Sequence, residues 1–359
     1  MEFHIAHFSN INTTNSSDQS YLLTYPPYAE HSPGKFAVYM FFAVTFCILG
    51  VFGNILAIIS ILREKILRVP ENMFLVSLAA SDILVAGLVL PFSIAGVVLG
   101  EEYFFHRPQT CEFLAAVCWL ACVSAYLSIS GLAINRMILV WFPKLYVRLF
   151  TWKTTPFIAF LPWFLTLLTV IPLLTDWEKL EYDPESMSCI IDVDHLPTNI
   201  YQFVFLLLSL VTSFVAIVMT AVKIKVVKEK KYEFSAIAPN VLLMGTFLPD
   251  AEEEHLHRNV DEKSEELRKY LDDVMITVKM LSCIFIASFI WTPTVIAVLS
   301  QHIVTYGRDY WAFACLLGHM QPGLDSFCYI IANRHFRKGF ANSLSWVFCC
   351  VCCKTKIQK

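Results

Sequence analysis

The chain has 359 residues, of which 57% are hydrophobic and only 16% are charged, and its mean hydropathy is +0.58. Soluble domains carry about 25% charged residues, so this composition excludes an ordinary soluble globular protein. The net charge of −3 gives no reason to expect nucleic-acid binding, and the twelve cysteines lie too often inside apolar runs to be the framework of a small secreted disulfide protein.

A polar tail, residues 1–35, precedes the first apolar block. It lacks the basic start and apolar run of a cleavable signal peptide. It contains two glycosylation sequons, at Asn12 and Asn15. Such triplets often occur by chance, but two in a short tail beside a membrane span favour an extracellular N-terminus.

Seven apolar blocks follow, and each is long enough to cross a bilayer as a helix. The odd number would put the two chain ends on opposite sides of the membrane. The sequence therefore predicts an all-α membrane protein, a seven-transmembrane helix bundle over residues 36–332. The predicted spans are Phe36–Leu62, Asn72–Leu99, Glu112–Phe142, Thr155–Leu174, Ile200–Val222, Val274–Ser300 and Asp309–Ala332.

The charges of the loops predict the orientation of the bundle. Lysines and arginines are concentrated in the loops after the first, third and fifth blocks and after the seventh, whereas the alternate loops are acidic. By the positive-inside rule, the N-terminus is extracellular and the C-terminus is cytosolic. The longest cytosolic loop, at about residues 223–273, joins the fifth and sixth spans. We expect a multi-pass protein of the plasma membrane.

The third block has no charged residue between Glu112 and Arg136. As a helix, the stretch from Cys111 to Arg136 would be roughly 37 Å long, against about 30 Å for the hydrocarbon core. An arginine at that depth needs water or a carboxylate, and Asp273 at the cytosolic start of the sixth block is the predicted partner. In the alternative, Arg136 is a simple snorkelling anchor and Asp273 only a favourable acid at a helix N-terminus.

Three polar residues inside the spans, Asn54, Asp82 and Asp325, are costly in lipid and are therefore candidates for a functional site. Two carboxylates that lie close together do not both stay ionised without a cation between them. Asp82 and Asp325 thus predict either a bound Na⁺ or one shared proton. A hydrogen-bonded cluster that only holds helices together is the alternative.

The cysteines divide by compartment. Cys111 and Cys189 are both expected on the oxidising outer side, which predicts a disulfide that holds the acidic loop over the mouth of the bundle. The cytosolic region 333–359 begins with a short basic amphipathic stretch. Cysteines beyond such a stretch are candidates for S-palmitoylation, and a zinc site is the less favoured alternative. These cysteines are Cys349, Cys350, Cys352 and Cys353.

Short motifs fall in order along nearly the whole chain. Each is weak alone, but at their mutual spacing the chain resembles the rhodopsin-like (class A) G protein-coupled receptors. The run from Gly131 to Arg136 is similar to the branch with an Asn-Arg motif, which includes the melatonin receptors. The motifs are Gly53–Asn54, Leu78–Asp82, Cys111, Asn135–Met137, Trp163, Pro172, Cys189, Trp291–Pro293, Asp325–Tyr329 and Asn333–Phe340.

The resemblance implies a switch at the cytosolic end. Arg136 would meet the G protein, and Tyr329 would swing inward in the active state. The acid that usually precedes the arginine is Asn135 here, and the usual tyrosine after it is Met137. A neutral Asn135 cannot hold Arg136 by charge. We therefore expect the bridge from Arg136 to Asp273 to contribute more to holding the arginine than it would in a receptor with the usual acid.

The resemblance also implies an allosteric sodium pocket around Asp82, with Asn54 and Asp325 as its other members. The serine that the family uses in the third span is replaced by Ala125, so Ser128, nearby on the same span, is the candidate. We predict no other cofactor.

The ligand pocket that the resemblance implies lies in the outer half of the bundle. Trp291 would lie beneath the ligand, and Pro293 would kink the sixth helix. Cys118 stands where amine receptors have an aspartate, and His319 stands where opsins have the retinal lysine, so we expect neither an amine receptor nor an opsin. His319 is equally well explained as a satisfied core histidine. The candidate pocket residues are Trp119, Cys122, Trp291, His319 and Gln321.

The resemblance therefore predicts a receptor, not an enzyme. It would bind an extracellular small-molecule, lipid or peptide ligand and activate a heterotrimeric G protein by outward movement of the sixth helix. Membrane lipid would surround it, and no nucleic acid is expected as a partner. A polytopic transporter or channel is the alternative, but the sequence has no visible inverted repeat. An intramembrane enzyme would have Ser128–Gly131 as a nucleophile turn, and no partner base can be assigned to it.

Overall fold

The computed structural model describes residues 28–173, 180–191, 196–242, 269, 271–301 and 303–357. Within them, long helices form a bundle, and one hairpin covers one end of it. The helices are α1 (Tyr28–His31), α2 (Pro33–Arg63), α3 (Pro70–Leu99), α4 (Glu101–Phe105), α5 (Pro108–Trp141), α6 (Pro143–Leu149), α7 (Thr155–Leu173), α8 (Leu196–Leu242), α9 (Leu271–Ser300), α10 (Arg308–His319), α11 (Gln321–Ala332) and α12 (Arg334–Ile357).

In the described part of the chain, five helices are long and apolar enough to cross a membrane: α2, α3, α5, α9 and residues 199–229 of α8. Helix α7 is a shorter apolar helix, and α10 and α11 follow each other as two halves of a seventh rod. The predicted seven-helix bundle is confirmed. The sequons at Asn12 and Asn15 and most of the long loop, at 243–268, lie outside the described residues.

Proline opens three of the spanning helices. Pro33, Pro70 and Pro108 stand in the first turn, where the missing N–H would have no helical partner anyway. These helices consequently begin a few residues before the apolar blocks from which they were predicted. Helix α3 ends at Leu99, and the next residue, Gly100, has a φ of 74°, in the left-handed region that favours glycine.

Two helices extend well beyond their predicted ends. Helix α8 continues to Leu242, although the predicted span ended at Val222. The added turns are rich in lysine and glutamate, which favour helix, and Lys225 and Glu229 form an i,i+4 pair at 3.8 Å. Helix α12 likewise continues to Ile357, past the predicted basic stretch, and its backbone carries the four tail cysteines. The side chains of those cysteines lie outside the described part.

Three of the rods contain an irregular turn next to a proline. A π-helical turn at Val85–Val89 precedes Pro91 in α3, and a 3₁₀ turn at Ser288–Trp291 precedes Pro293 in α9. The break between α10 and α11 lies just before Pro322. Proline has no N–H to donate, so the regular hydrogen-bond pattern is interrupted at each of these places.

The hairpin was not predicted. Strand β1 (Leu180–Asp183) pairs antiparallel with β2 (Ser188–Ile191), and Tyr182 lies opposite Cys189. Cys189 is bonded to Cys111 of α5, with the two Cα atoms 5.2 Å apart, so the predicted disulfide is confirmed. The bond holds the hairpin against the bundle.

Helix α5 is the centre of the bundle. It packs against α3, α7, α8 and both strands. The outer helices direct apolar side chains away from the core: Phe41, Phe52 and Phe157 are 66%, 63% and 81% exposed. Exposed phenylalanines of this kind are expected on a surface that contacts lipid rather than water.

Candidate functional site

A cavity of about 190 Å³ lies between the helices at the end that carries the Cys111–Cys189 disulfide, here called the disulfide end. Side chains of α5, β2, α8, α9 and α10 line it. None of the described side chains that line it is a carboxylate, a lysine or an arginine. Four of the five predicted pocket residues are brought together here: Trp119, Cys122, Trp291 and His319.

Two thiols and one imidazole form a polar cluster in the wall of this cavity. The Sγ atoms of Cys118 and Cys122, one turn apart on α5, are 4.0 Å apart. The Sγ of Cys118 lies 3.5 Å from Nε2 of His319 on α10. The His319 ring is buried and lies edge-on to Trp291, with the ring centroids 5.5 Å apart. His319 therefore contributes to the cavity wall rather than only to the core.

Trp291 separates this cavity from a smaller one below it. Its Nε1 donates a hydrogen bond of 2.8 Å to Oε1 of Gln321, and the Tyr126 hydroxyl lies 3.4 Å from the same oxygen. A Cβ at Gly318 would lie 2.6 Å from the indole ring, so only glycine allows this close approach. Gln321 does not line the large cavity as predicted, because the break after His319 places it in the smaller one.

The smaller cavity has a volume of about 20 Å³, which is room for one water molecule or ion. Asp82, Ala125 and Gln321 line it. The Nδ2 of Asn54 donates to the backbone oxygens of Gly50 and Pro322, at 2.9 and 3.0 Å. Asn54 is thereby fixed against the segment that forms one wall of the cavity.

Several buried oxygens of this region have no hydrogen-bond partner among the described residues. They are Oδ1 of Asn54, Oδ2 of Asp82 and both carboxylate oxygens of Asp325. Buried oxygens without a hydrogen-bond partner are typical of sites that hold a proton, a cation or an ordered water molecule. Ser128 is not among the residues that line the cavity, because its Oγ lies 3.0 Å from Ser77. In the described part of the chain, no three His, Cys, Asp or Glu side chains are grouped as a metal site.

Arg136 lies at the opposite end of α5, with a side chain only 6% exposed. Its Nη1 is 3.2 Å from Oε1 of Glu71, in the first turn of α3. The predicted bridge to Asp273 is therefore wrong in this structure. Asn135 is fully buried next to Arg136, and neither polar atom of its amide has a hydrogen-bond partner in the described residues.

Asp273 makes its contacts on another side of α9. Its Oδ1 lies 3.3 Å from Nη2 of Arg334 and 3.4 Å from Nε2 of His335, at the start of α12. Its neighbour Asp272 pairs with Lys228 of α8 at 2.6 Å. Successive residues of a helix point about 100° apart, and Asp273 points toward α12 rather than toward α5. This end of α9 is thus tied to α8 and α12.

Tyr329 is fully buried near the same end. Its ring stacks on Phe336 of α12, with centroids 5.4 Å apart. Its hydroxyl has no hydrogen-bond partner within the part of the chain that the structure describes. A buried hydroxyl without a hydrogen-bond partner is destabilising. A rearrangement that gave the Tyr329 hydroxyl a partner would remove this cost.

At the disulfide end, the segment before α2 is fastened to α10. The Tyr28 hydroxyl donates a 2.8 Å hydrogen bond to Asp309, which also pairs with Lys35. Burial, together with the hydrogen bond and charge of Asp309, raises the pKa of Tyr28. Tyr28 therefore keeps its proton and remains a donor at neutral pH.

Comparison with known proteins gives three findings. The sequence model of the seven-transmembrane receptors of the rhodopsin family matches residues 53–336. Alpha-2B adrenergic receptors match over a shorter stretch. The receptor of Echinops telfairi is 47% identical over 93 residues, which is 26% of this chain and 24% of the receptor. That of Rattus norvegicus is 45% identical over 95 residues, 26% of this chain and 20% of the receptor. The match thus spans about a quarter or less of these relatives.

Among solved structures, squid rhodopsin superposes with a TM-score of 0.68 at 15% sequence identity, over 91% of each chain. This similarity concerns the fold alone.

Proposed function

Because this chain belongs to the rhodopsin family of seven-transmembrane receptors, we propose that it binds a ligand at the disulfide end and activates a heterotrimeric G protein at the opposite end. One observation carries the proposal. The apolar cavity at one end and the buried Arg136 at the other are both built on α5, and Trp291 of α9 connects the cavity to the polar groups between them. The arrangement can transmit a change of ligand occupancy along two helices.

We assign the disulfide end to the outside of the plasma membrane. A disulfide forms in an oxidising compartment, which favours the outside for Cys111 and Cys189. By the positive-inside rule, the basic loops face the cytosol, and the acidic hairpin faces the outside. The two sequons would then carry glycans. Helix α12 would lie along the inner surface, where Arg63 of α2 stacks over Trp346 at 4.2 Å. Palmitoylation of the tail cysteines would fasten it to membrane lipid.

The proposed ligand is mainly apolar. An ammonium ligand would need a carboxylate, and the described lining of the cavity offers none. Aromatic and aliphatic side chains make up most of the walls, and the polar groups are in the minority. These features favour neither an amine nor a retinal Schiff base, and they leave small molecules, lipids and apolar peptide side chains as candidates.

We propose that the smaller cavity and the oxygens beside it hold an allosteric Na⁺. Oxygen atoms are the ligands that hard cations prefer, and an ion would satisfy oxygens of Asn54, Asp82 and Asp325 that otherwise have no partner. Gln321 couples this group to Trp291. A ligand that moves Trp291 would therefore change the affinity for the ion, and the ion would change the affinity for the ligand.

In the proposed resting state, Glu71 holds Arg136. The pair is mostly buried, which makes its charges interact more strongly than an exposed pair would. A G protein that offers a carbonyl or carboxylate to Arg136 would compete with Glu71. Glu71, at the start of α3, thus takes the place of the acid that is replaced by Asn135. In the proposed switch, Arg136 is still held by a negative charge.

A cell-based assay tests the function. Collections of small molecules, lipids and peptides are applied from outside, and nucleotide exchange is recorded on co-expressed cytosolic G proteins of several classes. We expect a ligand that raises exchange in the wild type but not in Arg136→Ala, at matched surface density. A response that survives Arg136→Ala would contradict the proposed role of that residue. A ligand that is effective only from the cytosol would contradict the proposed orientation.

A further inference from the structure

We propose that Cys118 is a covalent attachment site for an apolar α,β-unsaturated carbonyl compound, and that His319 is the base that activates its thiol. The site lies in the cavity at the disulfide end, so the proposal names a chemical class of ligand for that cavity. Its signalling consequence rests on the proposed function, whereas the covalent step does not.

The geometry is that of a nucleophile beside a base. A thiol becomes a strong nucleophile as it loses its proton, and a neighbouring imidazole accepts that proton readily. The Sγ of Cys118 is 3.5 Å from Nε2 of His319, within hydrogen-bonding distance for sulfur. His319 in turn is held by its edge-on contact with Trp291. The pair is positioned on two different helices, so both orientations are set by the packing of the bundle.

The other described thiols lack this arrangement. Cys122 contacts Cys118 at 4.0 Å, and Cys283 contacts Cys328 across α9 and α11 at 2.9 Å. Cys315 lines the same cavity but is buried, and Cys47 lies on α2 away from it. Among the described free thiols, hydrogen-bonding contact with an imidazole is found at Cys118. Preferential reaction at this position is therefore expected.

The surroundings select the electrophile. The lining is largely aromatic and aliphatic, with Trp119, Tyr126 and Phe203 among its members, so it suits an apolar chain. No lysine is among the described lining residues, which removes the amine that would otherwise capture a carbonyl carbon. A soft thiol adds to the β-carbon of a conjugated carbonyl compound. The cavity thus favours conjugate addition over imine formation.

The atoms and electrons of the step balance without another reagent. The Cys118 proton passes to Nε2 of His319, and the sulfur forms a bond to the β-carbon. The π electrons of the C=C bond move to the enolate, and the imidazolium returns the proton to the α-carbon. The product is a thioether with the carbonyl group intact, and both side-chain charges are neutral at the end.

The test uses the full-length receptor in lipid nanodiscs. The probe is a 2-alkylcyclopent-2-enone, and the matched control is its saturated cyclopentanone analogue, which has the same shape but cannot be attacked at a β-carbon. Peptide mass spectrometry locates the adduct and measures its rate of formation at each cysteine. General-base assistance typically contributes 10²–10⁴-fold. We therefore expect His319→Gln to slow the adduct at Cys118 by at least tenfold, and Cys118→Ser to abolish labelling of α5.

Wild-type protein gives a result that does not depend on any variant folding. Labelling at Cys118 should outpace labelling at Cys47, and excess saturated analogue should slow the former only. Equal rates at the two cysteines, an adduct at Cys122 instead, or a His319→Gln rate equal to wild type would each overturn the proposal. Nucleotide exchange is measured on the same samples. An adduct at Cys118 without any change in exchange would leave the covalent step intact and contradict the proposed function of the cavity.

Discussion

At the scale of single residues, the buried carboxylates at the smaller cavity are the reason to propose that an ion regulates the bundle. Asp82 and Asp325 are both almost fully buried, and three of their four oxygens have no hydrogen-bond partner among the described residues. Two like charges in this environment repel each other and lose their hydration. A bound cation would reduce both the repulsion between the carboxylates and the cost of their lost hydration. A shared proton would reduce these costs only in part.

Sodium should therefore stabilise the purified receptor. A ligand at about ten times its dissociation constant stabilises a protein by about 1.4 kcal/mol, so the melting temperature should rise with NaCl. It should not rise with N-methyl-D-glucamine chloride at the same ionic strength. Asp82→Asn should remove the difference between the two salts. An equal effect of both salts on the wild type would contradict the sodium site.

The side chain that sequence analysis missed is Glu71. Burial of Arg136 and its need for a carboxylate were predictable, because the third block has no other charge for many residues. The partner was not predictable, because the rotation of each helix about its axis decides which acid reaches the arginine. Glu71 follows Pro70 directly at the start of the next helix, whereas Glu64, the other acid of this loop, stands at the end of α2, and the position of Glu71 was the available signal.

At the scale of helices and strands, apolar length predicted most of the bundle, whereas the proline-opened starts of three helices lie before the predicted bounds. The two four-residue strands of the hairpin were not predicted because their alternation of apolar and polar residues is too short to recognise and because acidic residues surround them. The extension of α8 was not predicted because its first turns, up to Glu233, are charged and have no apolar pattern, and because Pro239 interrupts the short apolar stretch that follows. The large cavity was predicted in part, since Trp119, Cys122, Trp291 and His319 follow from the resemblance, whereas the break before Gln321 does not.

The contact between α9 and α10 gives a prediction at this scale. A methyl group at Gly318 would lie 2.6 Å from the Trp291 ring and would force the indole away from Gln321. Overpacking of this kind typically costs about 1–3 kcal/mol, so Gly318→Ala should lower the melting temperature and quench or shift the fluorescence of Trp291. Gly307→Ala is the matched control, because a Cβ there meets nothing within 4 Å. Equal melting temperatures for the two variants would contradict this packing.

At the scale of the whole molecule, the helices at the proposed cytosolic end of the bundle are held by two different kinds of contact. Among the described residues of that end, Arg136 and Glu71 form a nearly buried pair between α5 and α3. The contacts of Asp273 with α12 involve half-exposed groups, and exposed pairs are worth about 0–1 kcal/mol. In the proposed switch, outward movement of α9 would therefore meet little electrostatic resistance, and release of Arg136 would not depend on that movement. The proposed activation would thus have two separable steps.

Basal nucleotide exchange tests this account most directly, with wild type, Glu71→Gln and Asp273→Asn reconstituted at equal density with a G protein. Loss of a resting contact worth about 1 kcal/mol should shift the equilibrium about fivefold. Glu71→Gln should therefore raise basal exchange about fivefold, and Asp273→Asn by less than about twofold, in keeping with the small value of an exposed pair. A rise in Asp273→Asn together with an unchanged rate in Glu71→Gln would contradict the account.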